Sequence, residues 1–204
     1  MKLYLVRHGC TEANKENRFQ GCIDYPLSLT GKQEAQQTSC RLASLSIDAV
    51  YSSPLRRAYD TAEIIARPHN QEVRVLSSLT EFSWGILEGL TGEQIQREHP
   101  DLAYSLRRGF QRGSIPGQEP FDIFWNRVIR TINFFCGAFV GKKVLLVSHG
   151  RFLNAFMVGF LGMHPKKSWP FRFSHGSISL LEMNREGRRV LIYFNDTCHL
   201  KREE

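Results

Sequence analysis

Two short apolar runs punctuate this chain, LYLV at 3–6 and VLLV at 144–147. Neither shows the polar alternation of a half-solvated strand, so both read as strands buried on both faces of a parallel sheet. Each stops abruptly in polar residues: Arg7, His8 and Gly9 follow the first, and Ser148, His149 and Gly150 follow the second. The side chains able to do chemistry therefore stand where buried strands end.

Elsewhere the pattern turns helical. Thr30 with Gln33 three positions later makes a capping box for a helix to about Leu45, and 48–52 reads as the next strand. Ser53 followed by Pro54 predicts an N-cap and a first helical turn, opening a helix that carries Arg56, Arg57, Thr61 and Ile64. Thr91 with Gln94 repeats the capping box, and a Gly- and Pro-rich stretch at 109–120 interrupts the helical signal before it resumes over 121–140. The aromatic segment PFDIFWNRVIRTINFF has apolar positions at helical spacing and reads as a core-facing helix. Residues 151–161 are helical up to Gly162, and two β-rich runs, 177–183 and 189–194, flank the turn NREG as an antiparallel pair.

This alternation predicts an α/β fold, a three-layer α/β/α sandwich whose central sheet is mostly parallel with an antiparallel edge strand. One domain over 1–204 is expected, with a helical excursion at about 82–120 roofing the active site. In such sheets the ligand lies beyond the carboxyl ends of the strands at a switch point, where Arg7, His8 and His149 are placed.

Composition narrows the function. A 42% hydrophobic chain of 204 residues can bury one sizeable core. A net charge of +7 favours an anionic partner. The basic residues are dispersed rather than gathered on one aromatic-laced face, which argues against nucleic acid as that partner. No run of about 18 apolar residues is present, and the first apolar stretch is too short for a signal peptide, so a cytoplasmic protein without a membrane span is expected. The cysteines at 10, 22, 40, 136 and 198 are scattered, and no His or Cys pair has metal-ligand spacing, so neither a disulfide framework nor a metal site is expected. His69, His99, His164, His175 and His199 read as surface, capping or core residues.

The remaining parts suit phosphoryl transfer. The transferring group needs its oxygens neutralised, and the planar donor forks of Arg7 and Arg57 match pairs of those oxygens. A neutral imidazole can attack phosphorus if another group protonates the leaving oxygen, which makes His8 the candidate nucleophile and Glu81 the candidate acid, with Glu88 and Glu119 as competitors. The backbone N–H of Gly150 can approach an anion closely at a helix start. No metal or organic cofactor is needed in this scheme. Cys10 and Cys22 flank the expected pocket, and a nearby cation could lower a thiol pKa there.

Four motifs in order, RHGCTEAN at 7–14, SSPLRRAYDTAE at 52–63, EFSWGILEGLT at 81–91 and VSHG at 147–150, resemble the histidine phosphatase superfamily, which includes cofactor-dependent phosphoglycerate mutases and small-metabolite phosphatases. The resemblance implies His8 as the phosphorylated nucleophile, Arg7, Arg57 and His149 as the phosphate clamp, Glu81 as proton donor and Asn14 as a further hydrogen-bond donor. Leu87 stands where the family usually carries Trp, an expected change of pocket lining.

The chain lacks the longer insertion that resembles the mutase lid, and its ending NDTCHL resembles phosphatase members. A phosphatase acting on a small anionic phosphorylated substrate follows, with α-ribazole 5′-phosphate and sugar or glycolytic phosphates on the implied menu. Arg107 and Arg108 follow a helical segment much as an arginine pair does in the mutases, so phosphoglycerate mutase is the second reading. In a phosphatase the same pair, with Arg112, would select substrates bearing a second anion. A non-catalytic phosphate-ligand or nucleic-acid binder is the alternative of another class.

Overall fold

The computed structural model describes residues 1–107, 115–165 and 170–200. Among these residues six strands form one sheet in the order β3-β2-β4-β1-β5-β6. The strands are β1 (Lys2–Arg7), β2 (Ala49–Ser52), β3 (Val73–Val75), β4 (Lys143–Ser148), β5 (Ile178–Met183) and β6 (Arg189–Asp196). β1, β4, β2 and β3 run parallel, whereas β5 pairs antiparallel with both β1 and β6. The fold is the mostly parallel α/β sandwich closed by antiparallel edge strands that the apolar pattern predicts.

Side chains alternating along β1 fill both faces of the sheet. Leu3 and Leu5 join Leu146, Phe124, Phe135, Phe152 and Phe156 in one core, which buries helices α6 (Phe121–Ala138) and α7 (Gly150–Phe160). Tyr4 and Val6 point into a second core with Leu145, Val147, Leu42, Ala58 and Ile65, against α2 (Leu29–Leu42) and α3 (Arg56–Ala66). Full burial of such side chains is worth roughly 1.5–3 kcal/mol each, which fixes the register of the two central strands. Shorter helices complete the chain: α1 (Glu12–Lys15), α4 (Gly92–Glu98) and α5 (Pro100–Arg107). No helix among the described residues is long and apolar enough to cross a membrane.

Two helix starts differ from the sequence expectation, each because a nearer acceptor wins. α2 is capped by Ser28 rather than Thr30. The Ser28 hydroxyl accepts from Gly31 N–H and lies 3.0 Å from the Cys10 carbonyl, stitching the helix start to the loop after β1. α3 begins at Arg56 rather than at Pro54. Its first N–H donates to Asp24 Oδ1 at 2.6 Å, while the Ser53 hydroxyl serves His149 instead of the helix. The Thr91–Gln94 capping box forms as expected at α4. Leu87 is fully buried in the first core and does not line the cavity at the carboxyl ends of β1 and β4, which corrects its expected effect on pocket lining.

Backbone contact between the β1 loop and α2 depends on two glycines. A Cβ on Gly31 would meet the Cys10 carbonyl oxygen at 1.9 Å, and one on Gly9 would meet the Gly31 oxygen at 2.3 Å. Gly31→Ala, which in an exposed helix would gain about 1 kcal/mol, is expected here to lose about 1–3 kcal/mol in urea unfolding. Gly137→Ala in α6, where a Cβ meets nothing within 4 Å, is expected to gain up to about 1 kcal/mol in the same measurement.

Candidate functional site

The register Arg7↔Ser148 sets the ends of β1 and β4 side by side, so the residues that follow, His8 and His149, become neighbours with ring centroids 5.1 Å apart. The His8 N–H donates to the Ser148 carbonyl at 3.0 Å, tying the two strand ends together.

The partner of the His8 imidazole assigns its tautomer. His8 Nδ1 lies 2.7 Å from the Gly9 carbonyl oxygen, which can only accept, so Nδ1 carries the proton and Nε2 keeps a lone pair. His149 Nε2 lies 2.8 Å from the Ser53 hydroxyl, whose oxygen also accepts from Leu55 N–H. His149 Nδ1 is a buried atom with no hydrogen-bond partner. Burial, with Arg57 as the leading charge, holds both histidines well below the usual imidazole pKa, so both are neutral at pH 7.

Two guanidinium groups complete this centre. Arg57, in the first turn of α3, is 1% exposed and donates to the Ile23 and Gly21 carbonyls at 2.7 Å each. Arg7 donates to the Phe173 carbonyl at 2.6 Å. Burial pushes Arg7 down to about 10 and lowers Arg57 as well; both remain cations at neutral pH. The Nε atom of each is buried without a partner.

Glu81 sits on the N-terminus of α7. Its Oε1 accepts from Phe82 N–H and Phe152 N–H at 2.9 Å each, and Oε2 accepts from Arg151 N–H at 3.1 Å. Arg127 of α6 holds the segment leading to it, donating to the carbonyls of Ser78 and Thr80 while paired with Glu119 at 2.8 Å. Glu119 is thus engaged by Arg127, and Glu88 Oε1 accepts from the Ser83 hydroxyl and Trp84 N–H. Of the three carboxylates weighed for proton transfer, only Glu81 lines the cavity.

That cavity, about 570 Å³, opens beyond the carboxyl ends of β1 and β4. Arg7, His8, Asn14, Arg57, Glu81 and Gly150 line it, while His149 is fully buried next to His8. Asn14 uses its side-chain oxygen on the Thr11 N–H and hydroxyl in the α1 capping box, leaving its amide NH₂ for other partners. Gly150 is the first residue of α7, with Arg7 Cζ 3.5 Å from where its Cβ would stand. Arg107 is elsewhere: exposed at the end of α5, it donates to Gln96 and does not line the cavity, while Arg108 and Arg112 lie outside the described residues.

Other lining residues went unnoticed in the sequence. Among the described residues Arg18, Arg151 and Arg172 bring the lining arginines to five against one carboxylate, a strongly anion-seeking surface. Arg151 lies over the Trp84 ring at 5.4 Å. His175, read as a surface, capping or core residue, lines the cavity with its ring centroid 5.7 Å from that of His8. A signal was available: a strand antiparallel to β1 must begin at the edge where β1 ends, and His175 stands shortly before β5.

Cys10 and Cys22 are raised by burial, Cys22 to about 11, so neither is held as a thiolate. Among the described residues no group of three or more His, Cys, Asp or Glu is placed to hold a metal ion.

Residues 3–197 match the family described as the histidine phosphatase superfamily (branch 1), and the chain belongs to it. It is 32% identical to phosphoserine phosphatase 1 of Hydrogenobacter thermophilus, over 98% of this chain and 94% of that protein. It is 36% identical to the probable phosphoglycerate mutase GpmB of Salmonella choleraesuis, over 89% of this chain and 85% of the other. Among solved structures, a putative α-ribazole-5′-P phosphatase from Escherichia coli superposes with a TM-score of 0.87 at 28% identity, covering 96% of this chain and 97% of that one. The protein is an enzyme of the phosphatase class.

The neutral histidines set a pH dependence of stability. Burial lowers the folded pKa of His8, His149 and His175, the last to about 3, so as pH falls through about 6.5 the unfolded chain takes up protons that the folded one refuses. Stability is expected to be full above that pH and to decline below it. Melting temperatures at pH 7.5 and 5.0 check this, and His175→Asn is expected to make the decline shallower.

Proposed function

We propose that this phosphatase hydrolyses small phosphomonoesters in two in-line displacements at His8, without a metal ion. The observation that carries the reading is the 2.7 Å contact between His8 Nδ1 and the Gly9 carbonyl, which leaves Nε2 as a neutral nucleophile beside the buried Arg57 and the half-buried Arg7. In the first step Nε2 attacks phosphorus, the bond from phosphorus to the ester oxygen breaks, and Glu81 protonates the departing alkoxide. In the second, water attacks the phosphohistidine and gives its proton to Glu81 as the P–N bond breaks, returning neutral His8 and orthophosphate.

Arg7, Arg57, His149 and the Gly150 N–H would hold the phosphoryl oxygens, with Asn14 as a further donor. Glu81 Oε2, which accepts a single N–H, is the oxygen suited to proton transfer. The excess of lining arginines supports an anionic metabolite as substrate. Five unpaired cysteines fit a cytoplasmic setting.

Phosphate release from a panel containing phosphoserine, α-ribazole phosphate, sugar phosphates and both phosphoglycerates tests this reading. Turnover that survives excess chelator and disappears in His8→Ala is expected; interconversion of phosphoglycerates without net release would assign the mutase reaction instead. Glu81→Gln is expected to slow an alkyl phosphate by about 10²–10⁴-fold and an aryl phosphate much less, since an aryl leaving group needs little protonation. Equal losses on both would remove Glu81 from the acid role.

A further inference from the structure

Beside the nucleophile stands a third histidine to which the reaction above assigns no part. His175 lies in the segment between Phe173 and β5, and this segment is fixed by the strand that carries His8. Arg7 donates through its side chain to the Phe173 carbonyl, its backbone carbonyl accepts from Gly176 N–H at 3.1 Å, and its own N–H reaches the Ser177 carbonyl at 3.4 Å. From the other side the Thr38 hydroxyl and His199 Nε2 lie 3.0 and 3.1 Å from the Gly176 carbonyl. Gly176 itself is in the left-handed region, at φ +63°. The position of His175 is therefore imposed from two sides.

The ring so placed lines the cavity, 5.7 Å from the His8 ring between centroids, comparable to the 5.1 Å that separates His8 from His149. Its Nε2 is buried without a hydrogen-bond partner, although buried nitrogens are rarely left so. Desolvation and the adjacent Arg7 keep the ring neutral, so it offers one N–H and one lone pair to whatever enters. A histidine is costly to strand in this way for packing alone, and the spacing suits a group held between the two rings.

We infer that His175 is a further phosphoryl-contacting residue, donating a ring N–H to an oxygen of the phosphoryl group carried by His8. This rests on the reading of His8 as nucleophile and adds a contact to it. Such a contact acts on the phosphoryl group that all substrates share and not on the alcohol portion that distinguishes them.

The test uses the full-length protein, with inorganic phosphate and orthovanadate as probes, and His175→Ala and His175→Asn as variants. In His175→Ala the dissociation constants of both anions should rise about 10-fold or more, as for loss of a hydrogen bond to a charged group. kcat/KM should fall by a similar factor for aryl and alkyl phosphates alike. The melting temperature at pH 7.5 should not drop, because no protein hydrogen bond is lost there. His175→Asn, whose amide can donate, should recover part of the affinity. Unchanged anion binding in His175→Ala overturns the inference, as does a loss confined to substrates with one kind of alcohol portion. Failure of the unaltered protein to bind either anion would overturn the nucleophile reading and this contact with it, an outcome distinct from the first two.

Discussion

A guanidinium group cannot be taken out of water without something to answer its charge, and this fold buries one almost completely at the edge of its central sheet. Arg57 is 1% exposed, and the answer to it comes mainly from backbone dipoles, the carbonyls of Gly21 and Ile23. Holding those carbonyls in place dictates the course of the chain around them. Gly21 takes a left-handed conformation, φ +49°, in a position where a Cβ would strike the Glu88 carboxylate at 2.0 Å. Glu88 in turn is held by Ser83 and Trp84. The loop after β1 is pinned by Phe19 N–H to the Leu90 carbonyl and by Gly89 N–H to the Phe19 carbonyl. The loop before β5 answers Arg7 in the same manner, through Phe173.

The same buried cations govern the histidines. Arg57 heads the charges that suppress protonation of His8 and His149, so the field that would draw an anion into the cavity also keeps the His8 lone pair available. Binding and activation thus have a common electrostatic source. Among the described residues Glu81 is the only carboxylate in the cavity lining, and the amides of α7 hold it at the cavity wall while Arg127 steadies the preceding turn. The electrostatics of the cavity are those of a strongly positive cup with one acidic side chain.

Much of this was legible in the sequence wherever local chemistry decides structure. Buried strands ending at Arg7 and Ser148, the Thr91–Gln94 cap and the antiparallel pair after Ser177 all follow from short-range pattern. Expectations failed where a distant partner outbid a local one: Asp24 supplies the acceptor at the start of α3, and Ser28 caps α2 because it also reaches Cys10. Arg107 looked equivalent to a pocket arginine by its place in a helix, but the direction in which α5 points it is a tertiary fact. His175 was missed because nothing adjacent in sequence marks it; it becomes conspicuous only once β5 is laid antiparallel to β1.

The strand order also bears on when the molecule can exist. β1 is an inner strand whose two neighbours, β4 and β5, both lie far beyond it in sequence, Lys2 pairing with Lys143 and with Glu182. During synthesis its apolar residues must wait, unpaired, until β4 and β5 have been made. Non-local pairing of this kind makes folding slow. It also means that a chain interrupted before β4 has an RHG motif with no neighbouring His149, and one interrupted before Phe173 has an Arg7 lacking the carbonyl it donates to. Truncated products thus carry His8 without its environment, and the cluster around it comes into being only once β4 and the segment before β5 have been added.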